Sequence, residues 1–175
     1  MDRIVTAMAY NYANGKLYAL AVNDEPGTNN SLYEVSLPLG TLTEIAPIQA
    51  FDADGNPVFL NEFCIDKNGN AYGVNKSYSE PYLQSIDLTT GICTIIGGTG
   101  MKSYAGFFDS NILPCGYMAF DNEHGTIVHY DGLNGWGNFK PETGEYIHNR
   151  PFGSATIYCI YVRDSEPEIE IPSAP

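Results

Sequence analysis

The sequence predicts an all-β protein built by repetition, and three observations carry that prediction. A hairpin pattern occurs three times. Its copies are Met8-Ala9-Tyr10-Asn11 with Asn14-Gly15 and Leu17-Tyr18-Ala19-Leu20, then Phe63-Cys64-Ile65-Asp66 with Asn68-Gly69 and Ala71-Tyr72-Gly73-Val74, then Met118-Ala119-Phe120-Asp121 with His124-Gly125 and Ile127-Val128-His129-Tyr130. Tyr10, Ile65 and Phe120 hold the same place, at spacings of 55 and 55 residues. The second observation is composition. Tyrosine supplies 13 residues, glycine 18 and proline 11, while charged residues are only 17%; aromatic side chains fit a pleated surface, and Gly and Pro set tight turns. The third is periodicity, since no stretch sustains a helical hydrophobic period.

In chain order, residues 3–10 are mostly apolar and read as the first strand. Residues 11–15 turn the chain, because Asn and Gly tolerate positive φ. Strands follow at 16–22, at 31–36 after the polar loop 23–30, and at 41–45 after a turn at 38–40. Residues 52–57 are a loop. The second unit places strands at 62–65, 71–74, 82–87 and 93–96, with Thr90-Gly91 turning between the last two. Gly97-Gly98-Thr99-Gly100 reads as the link to the third unit, whose strands fall at 116–120, 126–130, 137–140 and 146–148. Gly40, Gly91 and Gly144 occupy matching turns, spaced by 51 and 53 residues. Residues 102–111 are the one place for a helical turn.

Four short strands per repeat is the signature of a propeller blade. The expected architecture is therefore β-propeller-like: three four-stranded antiparallel blades, at about 3–50, 58–100 and 114–150. The inner strands should be 6–10, 62–65 and 117–120. Residues 156–162 add one more apolar strand, placed like the innermost strand of a further blade, and 164–175 form an acidic, proline-rich linker. Three blades do not ordinarily close a ring, because propellers have about 4 to 8. The chain is thus expected to be the C-terminal part of a larger propeller; the alternative is that two chains pair into a six-bladed ring.

Residues 83–97, Leu83-Gln84-Ser85-Ile86-Asp87-Leu88-Thr89-Thr90-Gly91-Ile92-Cys93-Thr94-Ile95-Ile96-Gly97, resemble the "L-x-x-I-D-x-x-T-G-x-x-T-x-I-G" line of many bacterial β-propellers. Unit one departs from it, with Val35-Ser36 for Ile-Asp and Pro38-Leu39-Gly40 for Thr-Gly, while unit three keeps Pro141-Glu142-Thr143-Gly144. The ending Ile171-Pro172-Ser173-Ala174-Pro175 resembles the start of a fibronectin-type-III-like module. The arrangement is similar to secreted or surface propeller proteins of gut-dwelling Gram-negative bacteria. That resemblance implies an extracellular or cell-envelope location and roles in adhesion or glycan handling; propellers host unrelated functions, so it implies no activity.

The formal net charge is −13, from 21 acids and 8 bases. Such a chain repels phosphate backbones and anionic lipid surfaces. No run of apolar residues is long enough for a membrane-spanning helix, and Met1 leads straight into a strand without a signal peptide. The cysteines at 64, 93, 115 and 159 form no C-x-x-C pair. Free thiols are the expectation, although two disulfides remain open.

The candidate ligand-binding residues are Trp136, Asn134, Asp131 and Tyr104. Residues 131–139 form a glycine-rich loop around the single Trp. Trp and Tyr stack on sugars and anchor interfaces because they bury large area with little entropy loss. The competing reading is that Trp136 begins a strand and packs between blades, and that Tyr104, with Phe107 and Phe108, packs on a blade edge. Asn11, Asp66 and Asp121 are expected to bond their own turns. Asp52-x-Asp54-Gly55-Asn56 looks like a calcium loop but lacks EF-hand spacing, so a hairpin turn is expected there. His124, His129 and His148 lack zinc spacing, with His129 expected as a satisfied strand residue. The residues imply no cofactor and no metal. No strand shows an inward acid of the kind a paired-carboxylate glycosidase needs. The leading functional expectation is a non-catalytic binding or scaffold propeller that presents loops to a glycan or protein. The alternative is a polysaccharide hydrolase or lyase whose catalytic residues lie partly outside this chain, and a third is an interaction platform with no small ligand. The other partner expected is the remaining blades of a longer chain, or a second copy.

Overall fold

The computed structural model describes residues 3–23, 30–37, 39–75, 80–101, 117–131 and 135–150. Three sheets result. Blade 1 holds β1 (Arg3–Asn11), β2 (Lys16–Asn23), β3 (Ser31–Ser36) and β4 (Thr41–Pro47). Blade 2 holds β5 (Leu60–Ile65), β6 (Ala71–Asn75), β7 (Tyr82–Ile86) and β8 (Cys93–Gly98). Blade 3 holds β9 (Tyr117–Asp121), β10 (Thr126–Asp131), β11 (Gly135–Phe139) and β12 (Tyr146–Arg150). Each sheet is antiparallel, with its strands in chain order. Regular structure among the described residues is all strand. β5 lies beside β1 on one side and β9 on the other, so the three inner strands neighbour one another and the architecture is β-propeller-like.

Register puts the blades in one frame. Tyr10 pairs with Leu17 and Leu17 with Val35; Ile65 pairs with Ala71 and Ala71 with Ile86; Phe120 pairs with Ile127 and Ile127 with Phe139. Because side chains alternate along a strand, each blade has one face toward the preceding blade and one toward the following blade. Tyr18, Leu20 and Leu32 of blade 1 pack on Phe63, Ile65 and Ile86 of blade 2. Cys64, Val74 and Leu83 of blade 2 pack on Met118, Ile127 and Phe139 of blade 3. The apolar core is thus two junctions between sheets, and neither junction can form from one blade alone.

The outer strands are locked by close backbone approach. Cys93 N donates to Gln49 O at 3.0 Å across the first junction, and Tyr146 N donates to Thr99 O at 3.0 Å across the second. Gly91 (φ 70°) lies against Pro47, where an added Cβ would sit 2.3 Å from the carbonyl oxygen, and Gly144 (φ 77°) lies against Gly97 in the matching place.

Several strand ends differ from the sequence reading by one or two residues, and three of the differences have a clear physical cause. β8 runs through Gly97 and Gly98, which are strand residues and not a link; Gly97 is glycine because a Cβ would meet the Thr143 carbonyl. β11 begins at Gly135 and so includes Trp136. β5 begins at Leu60, because Asn30 Nδ2 donates to the Leu60 carbonyl and ties the strand start to blade 1. The expected strand 156–162, the linker 164–175 and the helical turn 102–111 lie outside the described residues.

Candidate binding face and the buried pair beneath it

The antiparallel order gives the blades two unlike ends. At one end lie the β1–β2, β5–β6 and β9–β10 turns, together with the β3–β4, β7–β8 and β11–β12 turns. These are tight and self-bonded. Asn11 Oδ1 accepts from Ala13 N, Asp66 Oδ1 from Asn68 N and Asn70 N, Asp87 Oδ1 from Thr89 N, and Asp121 Oδ1 from Glu123 N and His124 N. These side chains accept from their own backbone, as Asx residues in turns do. Asp87 is held below the usual carboxyl range by the Thr89 hydroxyl and amide. For Asp121, partial desolvation pushes upward, but the hydrogen bonds and charge of His124 outweigh it and hold the carboxyl low. The same contact, His124 Nδ1 to Asp121 Oδ2 at 2.8 Å, raises His124. Neighbouring turns also touch: Asn122 Oδ1 accepts from Lys67 N at 2.9 Å.

The opposite end carries the β2–β3, β6–β7 and β10–β11 connections, at 24–30, 76–81 and 132–134, and the blade-to-blade connections 48–59 and 99–116. Of the candidate residues, Asp131 stands at the margin of this end. Asp131 closes β10, paired in register with Gly135; Asn134 and Tyr104 lie outside the described residues. In connection 48–59, Asp52 Oδ1 accepts from Asp54 N and Asn56 N, and Phe51 bridges Pro57. This is the hairpin turn expected there. The Asn56 amide holds Asp52 below the usual carboxyl range. Among the described residues no three His, Cys, Asp or Glu side chains gather as a metal site would need.

Trp136 is the second residue of β11, half-buried, with its ring 5.1 Å from that of Tyr130. Register aligns Trp136 with Tyr130, as it aligns Leu32 with Leu20 and Leu83 with Val74. Trp136 thus holds the place of Leu32 and Leu83, which face the following blade.

Beneath this end lies a pair the sequence reading missed. Glu62 of β5 faces His129 of β10 across the second junction, Oε2 to Nε2 at 3.0 Å, with side chains 1% and 0% exposed. This corrects the expectation that no strand carries an inward acid: Glu62 is one, on an inner strand. His129 is the buried strand residue expected, set between Phe139 (ring centroids 5.0 Å apart) and Tyr146 (5.6 Å). Tyr146 Oη donates to Gly135 O at 3.2 Å, which ties the pair's surround to the start of β11. Burying a carboxylate and an imidazole carries a desolvation cost that their mutual contact offsets only in part. The corresponding residues at the first junction are Ala7 and Gly73, since Ala7 pairs with Leu20 as Glu62 pairs with Val74, and Gly73 pairs with Gln84 as His129 pairs with Gly137. The only signal in the sequence was this exchange of Ala and Gly for Glu and His at repeat-equivalent positions. Beside the pair, burial raises the Cys64 thiol far above its ordinary range, and burial raises that of Cys93 to about 12. Both are free cysteines; Cys115 and Cys159 lie outside the described residues.

No protein-family model matches the sequence, and no curated protein matches it. Solved structures similar to it include TolB from Acinetobacter baumannii, at 16% identity and a TM-score of 0.42, covering 83% of this chain and 31% of that one. Another is puromycin hydrolase, at 13% identity and a TM-score of 0.46, covering 86% of this chain and 22% of that one. The chain spans less than a third of the length of either.

Proposed function

We propose that the chain is a non-catalytic binding or scaffold module of the cell envelope, and that its long-connection end presents residues to a glycan or protein partner. The observation that carries this is the inequality of the two ends. One end closes in short turns whose acids bond their own backbone. The other carries the three longest connections between strands, at 24–30, 48–59 and 99–116, the last of which includes position 104; Asn134 falls in the short connection 132–134, and Asp131 closes β10 beside it. Loops set on a rigid sheet scaffold are where binding residues concentrate. The burial of Glu62 and His129 supports the non-catalytic reading, and the resemblance of the acidic tail to a propeller-to-module linker supports the envelope setting. A net charge of −13 favours neutral glycans or basic protein surfaces over polyanions.

A glycan array and a pull-down from envelope extract, run with the 175-residue chain and its Tyr104→Ala, Asn134→Ala and Lys67→Ala variants, test the proposal. Binding lost in the first two with unchanged β-type circular dichroism, and kept in Lys67→Ala at the turn end, supports it. Equal loss in Lys67→Ala moves the site to the other end. Turnover of a polysaccharide that one carboxylate-to-amide change abolishes replaces the binding reading with a hydrolase or lyase.

A further inference from the structure

Asn followed by Gly occurs at 14–15, at 68–69 and at 134–135, the last with its Asn outside the described residues. Asn is a chemically labile residue, most of all before Gly. A glycine has no Cβ to hinder its amide nitrogen as that nitrogen approaches the Asn side-chain carbon. The fold treats the two described copies differently. Asn14 is held at both ends of its amide: Oδ1 accepts from Lys16 N at 3.1 Å, and Nδ2 donates to the Tyr18 hydroxyl at 3.0 Å. Its would-be attacker is held as well, with Gly15 N donating to Asn11 O at 2.8 Å. At Asn68 the backbone N–H donates to Asp66 Oδ1, but among the described residues the side-chain amide has no hydrogen-bond partner. Gly69 N donates to Asp66 O at 3.1 Å, a longer bond than that of Gly15. Both Asn side chains are exposed, so restraint separates them and solvent access does not.

The 66–70 turn touches both neighbouring blades. An added Cβ on Gly69 would lie 3.3 Å from Ala13 and from the Asn11 amide of blade 1. On the other side, Lys67 N donates to Asn122 Oδ1 of blade 3 at 2.9 Å. Ile65 and Ala71 pair across this turn, so its length sets the register of β5 on β6. β5 in turn serves both junctions, through Phe63 and Ile65 on one face and Cys64 on the other.

We propose that Asn68 is a site of spontaneous conversion to isoaspartate, and that the conversion loosens the turn that joins the three blades. Hydroxide takes the proton of Gly69 N, and this nitrogen bonds to Asn68 Cγ. The Cγ–Nδ2 bond breaks, and the amide nitrogen leaves as ammonia. Water then opens the succinimide. Cleavage of the bond from Gly69 N to the Asn68 backbone carbonyl carbon gives isoaspartate, with the chain running through Cγ; cleavage at Cγ gives aspartate. Either product adds a carboxylate to a chain already at −13. Isoaspartate also adds one methylene to the backbone between β5 and β6, which the register of Ile65 on Ala71 does not accommodate.

Ageing the 175-residue chain in mildly alkaline buffer, followed by peptide mass mapping and enzymatic carboxyl methylation of isoaspartate, tests this. Asn68 should convert roughly tenfold or more faster than Asn14, where two neutral hydrogen bonds must first break. Tyr18→Phe removes the acceptor of Asn14 Nδ2 and should speed Asn14 while leaving Asn68 unchanged. In urea the two sites should convert alike. Hydrogen exchange reads the consequence: amides of Lys67, β5 and β6 should lose protection in the aged chain and keep it in Asn68→Gln aged the same way. Asn68→Asp carries the charge without the added backbone atom and should keep it too. Equal native rates at the two sites, or an Asn68 that stays intact while the urea-unfolded chain converts, overturns the site. Unchanged protection in the converted chain, or an equal loss in unaged Asn68→Asp, overturns the loosening.

Discussion

Replacing one member of the Glu62–His129 pair should cost more than replacing both. In His129→Phe the Glu62 carboxyl stays buried opposite a ring that cannot offset its charge. In Glu62→Met the imidazole is left among Phe139 and Tyr146 without its acid. Breaking a buried pair from one side costs about 3–5 kcal/mol, a large share of the roughly 5–15 kcal/mol that holds a domain of this kind. At a urea m-value of about 1–3 kcal/mol/M, the midpoint should fall by roughly 2 M. The double variant Glu62→Met/His129→Phe removes both desolvation costs. Phe at 129 keeps ring neighbours at 5.0 and 5.6 Å, and such apolar replacements of buried pairs are often neutral or stabilising. The double variant should therefore lie within about 1 kcal/mol of the parent or above it, a coupling that distant sites never show. Hydrogen exchange adds a spatial readout: in either single variant, amides of β9–β12 should lose protection before those of β1–β4. The His129→Phe single should also regain stability as pH falls, because a carboxyl that must be neutral to stay buried binds its proton more readily folded than unfolded. Single variants that cost under 1 kcal/mol, or costs that simply add in the double, would refute the reasoning.

Three further predictions use the same geometry. His124 should titrate above its ordinary 6.5 in an NMR pH series, and Asp121→Asn should return it toward 6.5. Since His124 is raised and Asp121 lowered, their contribution holds between the two folded values; it fades as pH rises through that of His124 or falls through that of Asp121. An unshifted His124 removes the contact. Cys64 and Cys93 should resist iodoacetamide in the native protein and react once urea unfolds it, read by peptide mass mapping, because the thiolate is the reactive form and burial disfavours it; rapid native labelling of Cys64 would place it outside the junction. Gly40→Ala should cost about 1–2 kcal/mol for the left-handed backbone alone, and Gly144→Ala distinctly more, because its Cβ would lie 2.7 Å from the Gly97 carbonyl oxygen. Equal losses in urea melts would mean that blades 2 and 3 do not approach so closely.

The blades were legible because each carries its own local chemistry. Alternating apolar residues, Asx-Gly turns and repeat spacing place all twelve strands, since hairpin register is local. Junctions are not local. Whether position 97 can carry a side chain depends on the Thr143 carbonyl, a residue far along the chain in the β11–β12 turn of blade 3. Whether Trp136 lies in a loop or a strand depends on the partner offered by Tyr130. Glu62 reads from sequence as an ordinary polar residue at a strand start, because the His129 that makes its burial tolerable sits in the next blade. Of the site residues, sequence chemistry reads Asp131 as part of a loop, whereas its pairing with Gly135 makes it the last residue of β10; Asn134 and Tyr104 lie outside the described residues.

The unequal chemistry of the two junctions bears on which blade stands beside which. Apolar packing alone discriminates poorly, since Leu20, Val74, Phe63 and Met118 are interchangeable in kind. At the inner position the junctions are not interchangeable: the first carries Ala7 and Gly73 where the second carries Glu62 and His129. Were blade 3 to dock on blade 1, His129 would be buried against Ala7 without an acid. Were blade 2 to be followed by a copy of itself, Glu62 would be buried against Gly73 without a base. Each wrong order carries the cost of an unmatched buried group, which the native order avoids. The pair therefore contributes to order among blades even where it adds nothing to stability. The double variant separates the two effects: it should fold as stably as the parent while tolerating a blade exchange that the parent rejects.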